Sequence, residues 1–185
     1  MIDDTMLEAE EKMEKAIEVA KEDFATIRTG RANAAMFNKL TVEYYGSRTP
    51  LQQLASFQTP EARTILITPF DKSAMAEIER TLRDSDLGIN PNSDGNVIRV
   101  NLPQLTEERR KEYIKLARTK AEDAKISIRN IRRKAKEEID HLVKGGEIGE
   151  DEGARAEKEL EVFTKKHVET VDSILKVKEN ELLEV

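Results

Sequence analysis

The chain has 185 residues, enough for one large domain or two small ones. Charged residues make up 37%, apolar residues 38% and aromatics 4%, with no Trp, a balance that suits exposed amphipathic helices and disfavours an aromatic-rich enzyme core. The absence of Cys excludes disulfides, thiolate metal sites and cysteine nucleophiles, no run approaches the ~20 apolar residues of a membrane span, and the acidic stretch 1–11 contradicts a secretory signal or transit peptide. The expectation is a cytoplasmic, soluble protein.

The net charge of −6 conceals strong asymmetry. Residues 1–29 sum to −5 and residues 30–105 to zero. Within the remainder, 109–136 hold 12 basic against 3 acidic side chains, while 137–161 hold 3 against 10. The net charge argues against a protein coated in basic charge for nucleic-acid binding, but a concentrated basic strip sits on the acidic molecule.

In chain order, Met6, Ala9, Met13, Ala16/Ile17, Ala20, Phe24 and Ile27 recur at steps of three and four and predict a first amphipathic helix. Thr29-Gly30 supplies its stop, with Gly30 expected in a backbone conformation costly for a residue with a Cβ. All five Pro lie between 30 and 105, so this segment breaks the helical pattern. Leu40, Val42 and Tyr44 alternate with Thr41, Glu43 and Tyr45 as a half-buried strand, and Gly46-Ser47 offers a turn. Thr64-Ile65-Leu66-Ile67 and Val97-Ile98-Arg99-Val100 are further strands. Ser73 is placed to cap a short helix reaching Asp84, with Met75, Ile78 and Leu82 spaced for burial, and Leu87-Gly88-Ile89-Asn90-Pro91-Asn92 reads as a connector. A second long helix opens at Thr106 as N-cap, with Glu107 and Glu108 favoured by the helix dipole. It carries Tyr113, Ala117, Ala121, Ala124, Ile128, Ile131, Ala135, Ile139 and Leu142 on one stripe. Gly145-Gly146 ends it, residues 147–153 form a loop, and a third helix follows with Leu160, Phe163, Val168, Val171, Ile174, Leu175 and Leu182.

The fold expected is α+β in two domains. Residues 1–29 plus 106–185 form an elongated three-helix bundle, and 30–105 form an inserted β/α/β domain. A coiled-coil dimer competes with the bundle, but three stripes in one chain already satisfy each other, which favours a monomer. The inserted domain makes two linkers side by side, a hinge at about 30–31 and 103–105 formed by Gly30, Arg31, Pro103, Gln104 and Leu105.

Motifs for catalysis are missing. No phosphate-cradling glycine loop and no dinucleotide fingerprint is present, and the two histidines, His141 and His167, stand apart. His167 reads as a packed core residue and His141 as a surface residue near a helix end. The acidic loop at 147–152 lacks the spacing of a calcium loop. No cofactor, metal or catalytic residue is assigned, and the chain is not expected to be an enzyme.

The informative feature is a stripe on the second helix. Lys111, Lys115, Arg118, Glu122, Lys125, Arg129, Arg132 and Lys136 recur at alternating steps of four and three, thickened by Arg133 and Lys134. One reading is a solvated face paired with acidic neighbours, the usual fate of charged helix faces. The other is an anionic partner: like charges at i,i+4 destabilise a helix, and the planar fork of arginine suits phosphate. With few aromatics beside the stripe, backbone and shape recognition of structured RNA fits better than base stacking. Lys158 lies away from this stripe and is expected to play no part in it.

Six motifs carry a resemblance. Ile27-Arg28-Thr29-Gly30-Arg31-Ala32-Asn33, Val42-Glu43-Tyr44-Tyr45-Gly46, Gln53-Leu54-Ala55-Ser56, Ser85-Asp86-Leu87-Gly88-Ile89-Asn90-Pro91, Leu105-Thr106-Glu107-Glu108-Arg109-Arg110 and Arg129-Asn130-Ile131-Arg132-Arg133 stand in the order and spacing of the bacterial ribosome recycling factor family, over essentially the whole chain. The resemblance implies a three-helix bundle with an inserted β/α/β domain, in an L shape like transfer RNA. It further implies a factor that binds the post-termination ribosome and, with elongation factor G and GTP bound to that partner, splits the subunits and releases them from mRNA without hydrolysing anything itself. The implied contact is large-subunit ribosomal RNA near the peptidyl site, through Arg129, Arg132 and Arg133. Arg118, Lys125 and Lys136 of the stripe and Arg28 join them as candidate RNA contacts. For Arg28 and Arg31, which flank the linker glycine, RNA contact and hinge support both stand. An RNA-binding chaperone or adaptor is the alternative, explaining the stripe but not the inserted domain. An enzyme with an unrecognised site would explain that domain but not the stripe.

Overall fold

A computed structural model describes residues 1–184, which pack as two compact units. The first joins Met1–Phe24 with Lys115–Glu179; the second joins Ala25–Ile114 with the chain from Asn180 onward. These units keep the segment order of the two expected domains but take residues 25–29, 106–114 and the chain from Asn180 with the sheets.

The first unit is helical. Helix α1 spans Ile2–Ala25 and buries Ala9, Met13, Ile17, Ala20 and Phe24. Thr5, not Met6, completes the stripe: its hydroxyl donates to Glu138 Oε1 at 3.0 Å, so the polar group is not orphaned by burial. The helix ends at Ala25, five residues before Gly30. Gly30 does not have a positive φ, and a Cβ there would meet only the Glu184 carbonyl oxygen, at 3.6 Å. The expected conformational requirement at Gly30 is therefore corrected; the chain leaves the helix earlier, without a left-handed glycine.

The long helix α4 spans Glu107–Lys144, 38 residues or roughly 57 Å at 1.5 Å per residue. Thr106 caps it by accepting from the Arg109 amide at 3.1 Å. It buries Ala117, Ala121, Ala124, Ile128, Ala135 and Ile139, mostly small residues. Its C-terminus closes through Gly146 at φ +70°, where a side chain would be strained. The last helix, α5, spans Glu150–Leu183 and starts earlier than expected. Gly153 belongs to its first turn and not to the preceding loop, because the helix passes so close to α4 that a Cβ there would lie 2.5 Å from Val143 Cγ2. Within this unit Leu160, Thr164, His167 and Val171 of α5 are buried.

In the second unit, β1 (Thr41–Tyr44) and β2 (Ser47–Pro50) form a hairpin turning on Tyr45 and Gly46, with φ of 47° and 77°. A one-turn helix α2 (Leu51–Leu54) leads into β3 (Ala55–Glu61), then β4 (Thr64–Pro69), α3 (Met75–Asp84), β5 (Asn90–Asp94) and β6 (Val97–Asn101). The antiparallel sheet has the order β3-β4-β6-β5, with Ile65 opposite Val100 and Ile67 opposite Ile98. Helix α3 lays Ile78 and Leu82, one turn apart, onto the core with Phe37, Leu51, Ile65, Ile67 and Ile98, all completely buried. Asp71, not Ser73, caps the approach to α3, accepting from the Ser73 amide at 2.9 Å. The expected connector at 87–92 is corrected in part: Asn90-Pro91-Asn92 pair with Asn101-Val100-Arg99 as an edge strand, where a proline costs no ladder bond. Strand β3 was not legible at all, since only Ala55 of its seven residues is fully buried.

Candidate nucleic-acid interface

The basic stripe of α4 turns toward α5, and α5 answers it with carboxylates. Arg118 Nε lies 2.9 Å from Glu179, Lys125 pairs with Asp172, Arg132 lies 2.5 Å from Glu161 and Lys136 lies 3.3 Å from Glu157. Rising numbers on α4 meet falling numbers on α5, so these pairs form an antiparallel ladder along the helix seam. The hydrogen bond that Arg118 donates to Glu179 also raises the pKa of its guanidinium. The solvated-face reading of the stripe thus holds for part of it. Arg118, Lys125 and Lys136 spend their charge on the neighbouring helix, and Lys125 is only 17% exposed.

The arginines of the middle stripe stand differently. Arg129 is 53% exposed and reaches only its own helix, at 3.5 Å from Glu122. Arg133 is exposed and has no ion pair among the described residues. Arg132 sits at the rim of the seam with a third of its side chain open. Ile128, fully buried, anchors the helix so that Arg129 and Arg133 point outward, while Arg132, one turn further along the same face as Ile128, stays at the rim of the seam. A groove of about 750 Å³ opens beside it, with Arg129 and Arg132 on one side and Lys158 and Lys165 on the other. The expectation that Lys158 lies apart from the basic feature is corrected here: α5 brings it into the same groove. Its seven-residue spacing from Lys165 was the signal available in the sequence, and it gained meaning only once α5 was seen to pack on α4.

Arg28 belongs to the second unit. It is buried, 6% exposed, and its guanidinium donates to the Pro103 carbonyl oxygen, tying the outgoing linker to the returning one. Burial pulls its pKa down, and its Nε lacks a hydrogen-bond partner. That placement supports the linker role over RNA contact. Around it, Arg31, Pro103 and Gln104 are exposed, Leu105 is buried, and the Thr29 hydroxyl lies 3.4 Å from the Arg31 amide. His167 is buried, and its Nδ1 donates to the Phe163 carbonyl at 2.5 Å, while His141 is exposed. Among the described residues no helix is long and apolar enough to cross a membrane, and no group of three or more His, Asp or Glu gathers to hold a metal.

Comparison with known proteins supplies an independent line. The sequence profile described as ribosome recycling factor matches residues 20–183. The ribosome-recycling factor of Kineococcus radiotolerans is 74% identical over 185 residues, covering 100% of both chains. That of Streptomyces coelicolor is 66% identical, again over 100% of both. A solution structure of the ribosome recycling factor superposes with a TM-score of 0.79 at 41% identity, covering 100% of this chain and 98% of that one. A second solved structure describes the T. thermophilus ribosome recycling factor and the E. coli elongation factor G bound to the E. coli post-termination complex; it matches with a TM-score of 0.70 at 40% identity over 100% of both chains.

Proposed function

Because this chain belongs to the ribosome recycling factor family, a family of translation factors and not of enzymes, we propose that it binds the post-termination ribosome through the middle of α4 and, with elongation factor G and GTP, promotes subunit splitting. The observation that carries this reading is the cluster Arg129, Arg132 and Arg133, the first and last exposed and Arg132 a third open at the rim of the seam, on a helix anchored in its core by Ile128 and Ala135. Planar guanidinium groups on a rigid helix suit the phosphates of large-subunit RNA near the peptidyl site. The partner is supported by the solved relative in which a recycling factor and elongation factor G are bound to one post-termination complex. Arg118, Lys125 and Lys136 contribute to the positive field while joining the helices.

The second half of the reading concerns motion. Residues 30–105 act as the moving domain and 1–29 with 106–185 as the anchored one, with pivots at Gly30, Arg31, Pro103, Gln104 and Leu105. The Arg28 bond to Pro103 supports this by making the two linkers a single strap. The factor works as a cytoplasmic monomer and carries no nucleotide itself. The test is splitting of post-termination ribosomes followed by light scattering, with and without elongation factor G and GTP. Dissociation only when all components are present is the expected result. Binding to RNA without any splitting would turn the assignment toward a chaperone or adaptor.

A further inference from the structure

The groove between α4 and α5 has a wall that the basic stripe does not contain. Lys158 and Lys165 project into it from α5, both exposed and neither in an ion pair among the described residues. Seven residues on one helix are two turns, roughly 10.5 Å along the axis, and both positions lie on the same side of α5. Opposite them stand Arg129 and Arg132. Against these four cations the groove holds Glu161 and Glu169, so its lining is net +2 on a chain of net −6. Elsewhere along the seam, Arg118, Lys125 and Lys136 of α4 each have a carboxylate on α5. Here the positive charge is in excess, and it lies on both walls of a channel whose width is set by two packed helices.

Resting on the RNA-binding reading above, we propose that this groove is a two-sided cradle for the RNA phosphate backbone. Lys158 and Lys165 complete from α5 the contact that Arg129 and Arg132 begin from α4, and Glu161 is the carboxylate that a phosphate displaces from Arg132. Glu161 holds the Arg132 guanidinium at 2.5 Å and so orders it before RNA arrives. Glu161 is itself 55% exposed, so on release its carboxylate returns to water, and an exposed pair is readily exchanged for a phosphate.

The experiment is a salt titration of full-length chain binding to vacant large ribosomal subunits. The variants are the parent, Lys158→Ala/Lys165→Ala, Glu161→Gln, Arg129→Ala/Arg132→Ala, and a charge-matched control, Lys15→Ala/Lys21→Ala on α1; circular dichroism checks each fold. Loss of both α5 lysines should weaken binding and flatten the slope of log affinity against log salt by about 1.4 to 1.8, at ~0.7–0.9 per phosphate contact. Glu161→Gln should bind about two- to five-fold tighter at fixed salt. If the α5 double variant binds like the parent while the α4 double variant weakens, the second wall is refuted and the RNA reading stands. If the α4 double variant also binds like the parent, the RNA reading itself fails. Equal weakening by the α1 control would reduce the lysines to a net-charge effect and overturn the cradle. Unchanged or weaker binding by Glu161→Gln overturns the displacement step.

Discussion

The two packing units are held together in different ways. The sheet unit has a continuous core of large side chains, with Phe37, Leu51, Ile65, Ile67, Ile78, Leu82 and Ile98 completely buried around one centre. The helical unit buries a thin line in which Ala9, Ala20, Ala117, Ala121, Ala124, Ala135 and Ala156 share the places with Met13, Ile17, Phe24, Ile128, Ile139, Leu160 and Val171, and it flanks that line with ion pairs. Apolar area stabilises at ~25 cal/mol per Å², and an alanine contributes little of it. What the helical unit gains is close approach of backbones and a long surface on which charge can be arranged. A stable core and a large, patterned surface are competing uses of the same residues, and each unit favours one.

The largest effect expected from this contrast is in the sheet unit. Ile98→Ala empties a fully buried site between α3 and the sheet and should cost about 2–5 kcal/mol. Native-state hydrogen exchange should show the loss in the amides of β4 and β6, with those of α1 little changed. Equal loss in both sets would break the comparison, since the units would then melt as one. Arg28→Ala should cost about 1.5–3 kcal/mol, the range for a hydrogen bond from a charged donor, read by urea denaturation of the full chain. Arg28→Lys should recover little of that loss, because a single ammonium cannot reproduce the reach and fork of the guanidinium.

Smaller effects are expected along the helix seam. A double-mutant cycle on Lys125 and Asp172 should give a coupling of about 0.2–1 kcal/mol that falls as salt is raised. A much larger coupling would mean that the ladder, and not the thin apolar line, carries the bundle. The most local prediction concerns Tyr44 and Asp71, joined at 2.6 Å in the sheet unit. The bond pushes the Tyr44 hydroxyl up to about 12 and holds the Asp71 carboxyl below its ordinary value. Asp71 therefore adds stability above the unfolded carboxylate pKa, and that contribution is lost as pH falls through its lower folded value. Tyr44 contributes below pH ~10 and loses its contribution as pH rises through its higher folded value. In an NMR titration Asp71→Asn should bring the Tyr44 transition down toward pH ~10; a transition left near 12 would assign the shift to burial instead.

Much of the architecture was legible in the chain. The 3.6-residue periodicity marked the three helices, and Thr106 capped α4 as its side chain and position required. Short apolar, β-branched runs at 64–67 and 97–100 marked β4 and β6, and both strands place residues of those runs in the buried core. Strands β3 and β5 were hidden because they lie at the two edges of the sheet and bury little, so neither leaves an apolar pattern. Gly30 misled because a glycine near a helix end signals a left-handed cap only if the helix reaches it, and α1 stops at Ala25.

The candidate site divides along the same line. Composition and spacing alone determined that a basic stripe exists on α4 and which residues belong to it, since the period of a helix depends only on its own backbone. Which of those cations are free was decided by the packing of α5. Glu157, Glu161, Asp172 and Glu179 sit 21 to 61 residues beyond their partners, at separations that local periodicity does not encode. The same packing carried Lys158 and Lys165 to the groove beside Arg129 and Arg132, while the fold of the second unit committed Arg28 to a bond with Pro103. Coulomb energy depends on distance in space, and only the folded chain turns sequence separation into distance.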